Sequence, residues 1–470
     1  MPAVAPIYIL WDSAHIWGLM AWRAVRALGL PCRLVKGQEI AEGAFLRKPE
    51  PGGAALLLVP GGNARLKAQA LGPQGLDAVR RWVAQGGRYL GFCGGAGLAL
   101  RHESDRAGLN LCPWARAAYP QRLHHLISGH VRVRLRVDDP RVPPELAAGA
   151  PDSGLDGATA AAPLATHGHG PKPAAARFAA PPCATTAAPA AAPALPVWWP
   201  GRFAPEEGAD VRVLAAYDAP GEDFWLADLP LRRIPAQVFE AWQVLYGVNL
   251  SADFLAGQPL VAGGAYGEGS YILSYSHLET PRSPAANAWL AHLLRQAGYA
   301  PKGALVPLWQ LRAPCAAWPA ASGAPLLRAL NHMRGLLDLA VEHHLFFART
   351  HWLWGWRAGQ PGAACNNLHA ALCTAAGLPP TPEALAYWTS VRPRFAALEE
   401  LFTAGAEGYF LACRLADTLA PTLPEAVGKR GLEHQREALF GHPMSGGGLL
   451  EELLTIAEEL VYLSQGSPPQ

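Results

Sequence analysis

The chain has 470 residues, half of them hydrophobic, which exceeds the roughly 100–200 residues of an ordinary domain and suffices for two cores. Its 39 basic and 37 acidic residues leave a formal net charge of +2, with no basic run and no aromatic-basic interleaving, so no nucleic-acid partner is expected. The eight cysteines (Cys32, Cys93, Cys112, Cys183, Cys315, Cys365, Cys373 and Cys413) contain no CxxC pair, which argues against a zinc ribbon or a disulfide framework and for reduced thiols in a cytoplasm.

The opening stretch MPAVAPIYILWDSAH has no basic region and its apolar run breaks at Asp12, so IYILW (7–11) reads as a first strand and not as a signal peptide. No segment offers about 18 uninterrupted apolar residues, so no membrane span is expected either. Residues 14–29 then carry Trp17, Met20, Val25 and Leu28 at helical spacing before a glycine stop. CRLVK (32–36) and ALLLV (55–59) are the next strands, the second a continuous apolar run as befits a strand buried on both faces. A helix with Leu76, Val79 and Val83 on one face ends at Gly86 and Gly87, RYLGF (88–92) follows as a strand, and GGAGLALR can open another helix. This alternation implies an α/β fold with a doubly wound, mostly parallel sheet. In such sheets ligands bind beyond the carboxyl ends of the strands, where both LVPGG (58–62) and GFCGG (91–95) emerge.

From about 140 to 195 the pattern breaks. Within 171–195, 18 of 25 residues are Ala or Pro, too few large apolar side chains for a core, so 140–195 is expected to be a flexible insertion. His167 and His169 inside it are read as solvated rather than as metal ligands. Order resumes at PVWWPGRF (196–203) and at the alternating DVRVLAAYD (210–218); YILSY then forms a strand running directly into His277, and a helix over 285–298 closes the unit.

Beyond about 304 the chain turns to long apolar-striped stretches, among them 324–356, which imply an α-helical bundle. His332, His343, His344 and His351 lie near Asp338 and Glu342 there, but no Glu-x-x-His pair is present, so interface and core packing is expected and no metal. Packing is likewise the expectation for Trp352, Trp354 and Trp356, with a lid as the other possibility. The expected organisation is an α/β unit over 1–139 and 196–303, interrupted by 140–195, and a helical C-terminal domain over 304–470 able to dock a protein partner.

The chemistry centres on Cys93. A thiol is a useful nucleophile only as thiolate, which a neighbouring His favours. The surrounding glycines permit the strained strand-to-helix turn that presents a nucleophile, and backbone N–H groups of Gly94 and of Gly61 or Gly62 are candidate oxyanion donors. In SHLE (276–279), an extended chain would put His277 and Glu279 on one side, so that Glu279 orients the imidazole and His277 handles the proton of Cys93.

The order VPGG, GFCGGAG, VWWPGRF and GAYGEGSYILSYSHLE resembles the class I glutamine-amidotransferase-like domain, in the variant found at the N-terminus of biotin-protein ligases. The resemblance covers roughly 5–135 and 196–300. It implies a flavodoxin-like sandwich, a Cys93–His277–Glu279 triad, and an amidohydrolase or amidotransferase acting on a small carboxamide or acyl substrate without a cofactor. A binding or regulatory module that keeps the fold without turnover is the alternative. Where class I glutaminases carry a glutamine four residues past the cysteine this chain has Gly97, and it has no GRGRxGR loop, so neither glutamine as substrate nor biotin ligation is expected.

Overall fold

The computed structural model describes residues 5–43, 56–118, 126–147, 192–248, 250–312, 317–442 and 446–465. Most of the alanine- and proline-rich stretch, with His167 and His169, lies outside them.

The first part comprises β1 (Ile7–Leu10), α1 (His15–Ala27), β2 (Cys32–Val35), α2 (Gly37–Ala41), β3 (Leu56–Val59), α3 (Ala64–Ala84), β4 (Arg88–Phe92) and α4 (Gly94–Ala99). The strands are short apolar runs, and all four residues of β3 are buried. The α3 helix starts earlier than its apolar stripe suggests, because Asn63 caps it by accepting the N–H groups of Arg65 and Leu66. Gly72, at φ 60° ahead of Pro73, bends it.

Next come β5 (Ala115–Arg116), β6 (Ile127–Leu135), α5 (Pro144–Ala147), β7 (Ala194–Trp198), β8 (Phe203–Ala204), β9 (Arg212–Pro220), β10 (Trp225–Leu226), β11 (Leu229–Pro230), α6 (Ala236–Tyr246), β12 (Pro259–Tyr266), β13 (Gly269–Ser274) and α7 (Pro284–Gln296). One mixed sheet runs β11-β10-β6-β9-β12-β13-β4-β3-β1-β2, with β7 on β6. The parallel core, β2-β1-β3-β4-β13, is the doubly wound part legible in the sequence. Beyond β13 the pairings are antiparallel. The register sets Ser274 beside Phe92 and Gly91 beside Val59, so β3, β4 and β13 end together at one edge.

The C-terminal region holds α8 (Ala320–Glu342), β14 (Phe346–Ala348), β15 (Trp354–Trp356), α9 (Gly362–Gly377), α10 (Pro382–Leu419), α11 (Lys429–Phe440) and α12 (Gly448–Ser464). The stretch 324–356 is therefore not helical throughout: α8 stops at Glu342, His344 takes φ 59°, and an antiparallel β14–β15 hairpin follows. Trp352, Trp354 and Trp356 recur with period two, the spacing of a strand and not of a helix. Among the described residues no helix is long and apolar enough to cross a membrane.

Candidate active site

Cys93 is the first residue after β4 and sits at φ 45°, ψ −102°, a conformation L-residues rarely adopt. Two hydrogen bonds hold it there, Cys93 N–H to Ser274 O at 2.7 Å and Gly97 N–H to Cys93 O at 2.9 Å. The thiol, partly exposed, lies 4.0 Å from the Trp199 carbonyl. The glycines around it are fixed by close backbone approach: a Cβ on Gly94 would strike the Gly62 carbonyl, and one on Gly62, at φ 107°, would strike the carbonyl of Ser13. Gly61 abuts the imidazole, since its Cβ would come within 2.8 Å of His277 Cε1. Gly61, Gly62 and Gly94 therefore form the floor between Cys93 and His277.

His277 follows β13, its N–H bonded to Pro196 O at 3.0 Å. Its Nδ1 is 2.7 Å from Glu279 Oε1, and neither side chain is exposed. Burial disfavours the imidazolium, but the Glu279 carboxylate and the adjoining Cys93 outweigh it and raise the His277 pKa to about 10. The carboxylate therefore favours the protonated form of His277. Nε2 has no partner within hydrogen-bond geometry among the described residues.

Indoles enclose this centre. The Trp17 ring lies 4.4 Å from that of His277, 6.2 Å from Trp199 and 6.3 Å from Trp352, and Trp356 stacks on Trp199 at 4.4 Å. Trp352 and Trp356 come from the C-terminal hairpin, so the aromatic patch packs and also borders the site. Helix α12 crosses the neighbouring sheet edge, where Glu458 meets His15 at 2.9 Å, Glu459 meets Lys36 at 2.5 Å, and Gln465 Oε1 accepts from Leu34 N–H at 3.0 Å. Ser13, His15, Cys93 and Trp199 all have φ between 45° and 51°, so strained backbone gathers around the thiol.

Nothing in the sequence pattern marked Lys67. It lies in the first turn of α3, fully buried, its Nζ donating to Asp12 O at 3.0 Å. Burial pushes its pKa down to about 7 against the charges of Asp12, Glu458 and Cys93. Elsewhere, His332 pairs with Glu399 at 2.6 Å across α8 and α10, an interface contact. No group of three His, Cys, Asp or Glu able to hold a metal occurs among the described residues.

The parallel core, the glycine-flanked cysteine turn and the sheet-edge site belong to an α/β fold with one mixed sheet, followed by the helical C-terminal region. Residues 36–104, which span α2 to the segment after α4, match the family model "Biotin-protein ligase, N terminal". Among curated proteins none matches the chain. A solved ThuA-like protein from Bacteroides uniformis is similar over 65% of this chain and 98% of its own, at 14% identity and a TM-score of 0.30.

Proposed function

We propose that this protein is a thiol-dependent amidohydrolase or acyl-transfer enzyme acting on a carboxamide or related acyl substrate. The observation that carries it is the fully buried His277–Glu279 pair set against a cysteine held in a left-handed turn. With the proton on His277, Cys93 is stabilised as thiolate by the adjacent imidazolium. The sulfur attacks the acyl carbon, forming a C–S bond, while the carbonyl electron pair moves to oxygen, where the N–H groups of Gly94 and of Gly61 or Gly62 receive it. The C–N bond then breaks and the leaving amine takes the proton of His277, giving an acyl thioester. Water attacks that thioester, its proton passes to His277, and the thiolate is released with the acid. Glu279 holds the imidazole through Nδ1 and compensates its charge throughout. Gly97 supplies no side chain to hold a glutamine, which favours another amide.

A non-catalytic binding module is the second reading, favoured by the cover over the centre: His277 is wholly buried, and indoles of the C-terminal hairpin close on Trp17 and Trp199. Incubation with an activated acyl ester, followed by intact mass and peptide mapping, separates the two. The enzyme reading requires an acyl adduct on Cys93 that decays in water and is absent in Cys93→Ser; a protein that never acquires it supports the binding module.

A further inference from the structure

We propose that Lys67 is a positioning residue of the Cys93 centre, a buried ammonium that braces the Asp12–Ser13 turn beneath Gly62 and adds positive charge toward the Cys93 thiolate. The inference rests on the nucleophilic reading of Cys93 above. Lysine is rarely fully buried, yet Lys67 is, and the one hydrogen bond of its side chain to a described residue goes to the Asp12 backbone carbonyl and not to a carboxylate. Burying an ammonium is costly, and its bare volume could be filled by Met or Leu at lower cost.

The placement gives the charge a purpose. Helix α3 begins two residues after Gly62, so its first turn stands directly behind the glycine floor of the site. The carbonyl that accepts from Lys67 belongs to Asp12, and the next residue, Ser13, at φ 50°, presses its own carbonyl against Gly62. Gly62 in turn touches Gly94, the residue after the nucleophile. A chain of contacts thus runs from Nζ through a strained turn to the backbone that would bind an oxyanion.

The charged groups facing Lys67 come from three elements: Asp12 in the turn after β1, Glu458 on α12, and Cys93 after β4. The Asp12 carboxylate accepts the Gly37 N–H at 2.6 Å, and Glu458 is already engaged by His15, so each acid is tied elsewhere. Of the three, the thiolate is the one whose charge depends on reaction state.

The test is the pH profile of Cys93 alkylation by iodoacetamide in the full-length protein and in Lys67→Met, a near-isosteric neutral replacement. The expected result is a profile displaced to higher pH, with a roughly three- to tenfold slower rate on its acid side. A purely structural lysine would leave the profile of the folded variant in place, and that outcome overturns the inference. Should Lys67→Met not fold, the wild type decides through the NMR titration of the Lys67 side chain before and after Cys93 alkylation. The two groups sense each other reciprocally, so removing the thiolate must lower the Lys67 midpoint; an unchanged midpoint overturns the inference. A Cys93 unreactive toward iodoacetamide at every pH would instead defeat the nucleophilic reading itself, together with this extension of it.

Discussion

His277 Nδ1 and Glu279 Oε1 lie 2.7 Å apart with both side chains sealed from solvent, so the carboxylate acts directly on the imidazole. Glu279→Gln keeps the shape of this contact and removes its charge. The His277 pKa should then fall, because burial acts on it without the opposing carboxylate. Acyl transfer to Cys93 from an activated ester is expected to drop by about a hundredfold or more at neutral pH. Stopped-flow acylation of the parent and variant checks this.

The same pair carries a pH-dependent share of stability. Because the folded pKa of His277 is raised, to about 10, above its ordinary value of about 6.5, its contribution is fully present below about 6.5 and is lost as pH rises through about 10. Lys67 acts in the opposite sense: its pKa is depressed to about 7, so its burial penalty is greatest below that and fades toward the free value near 10.5. Urea unfolding across pH 6–10 should therefore show the advantage of the parent over His277→Gln shrinking as pH rises. The disadvantage of the parent relative to Lys67→Met should shrink over the same range.

Glycines at the floor are required by backbone contact. Gly94→Ala places a methyl group against the Gly62 carbonyl, and Gly62→Ala adds a left-handed φ to a collision with Ser13 O. Each is expected to cost about 3 kcal/mol of stability, measured by denaturant midpoint at constant slope. Gly97→Ala, whose added carbon would meet Ala64 Cβ at an ordinary 3.5 Å, should cost well under half of that.

The indole cover should control access without touching the proton chemistry. Trp356 stacks on Trp199, whose carbonyl faces the thiol, so Trp356→Ala should speed alkylation of Cys93 by a bulky aromatic maleimide by a few-fold or more. The rate with iodoacetamide should change little. Equal acceleration of both reagents would point to loosening of the whole site and not to steric cover.

The parallel core and the cysteine turn were legible because local signals coincide with them: apolar runs such as Leu56–Val59 for buried strands, and glycines where backbones touch. The antiparallel extension was not, since the neighbours of β6, β9 and β12 are set by pairings distant in sequence. The C-terminal hairpin was hidden inside an apolar stretch whose overall hydrophobicity resembles a helix, although its alternating tryptophans carried the strand period. Lys67 had no signal at all: on the pattern it is one more polar residue of a helix, and its neighbours Asp12, Cys93 and Glu458 are distant in sequence.

The nucleophilic reading of Cys93 is tested most directly by measuring the rate of its alkylation against pH in the parent and in His277→Ala, with the modified residue located by peptide mapping. The expected result is a thiolate in the parent that persists well below the ordinary cysteine midpoint of about 8.5, with the midpoint returning toward that value in His277→Ala. A midpoint at or above the ordinary value that does not respond to His277 would contradict it.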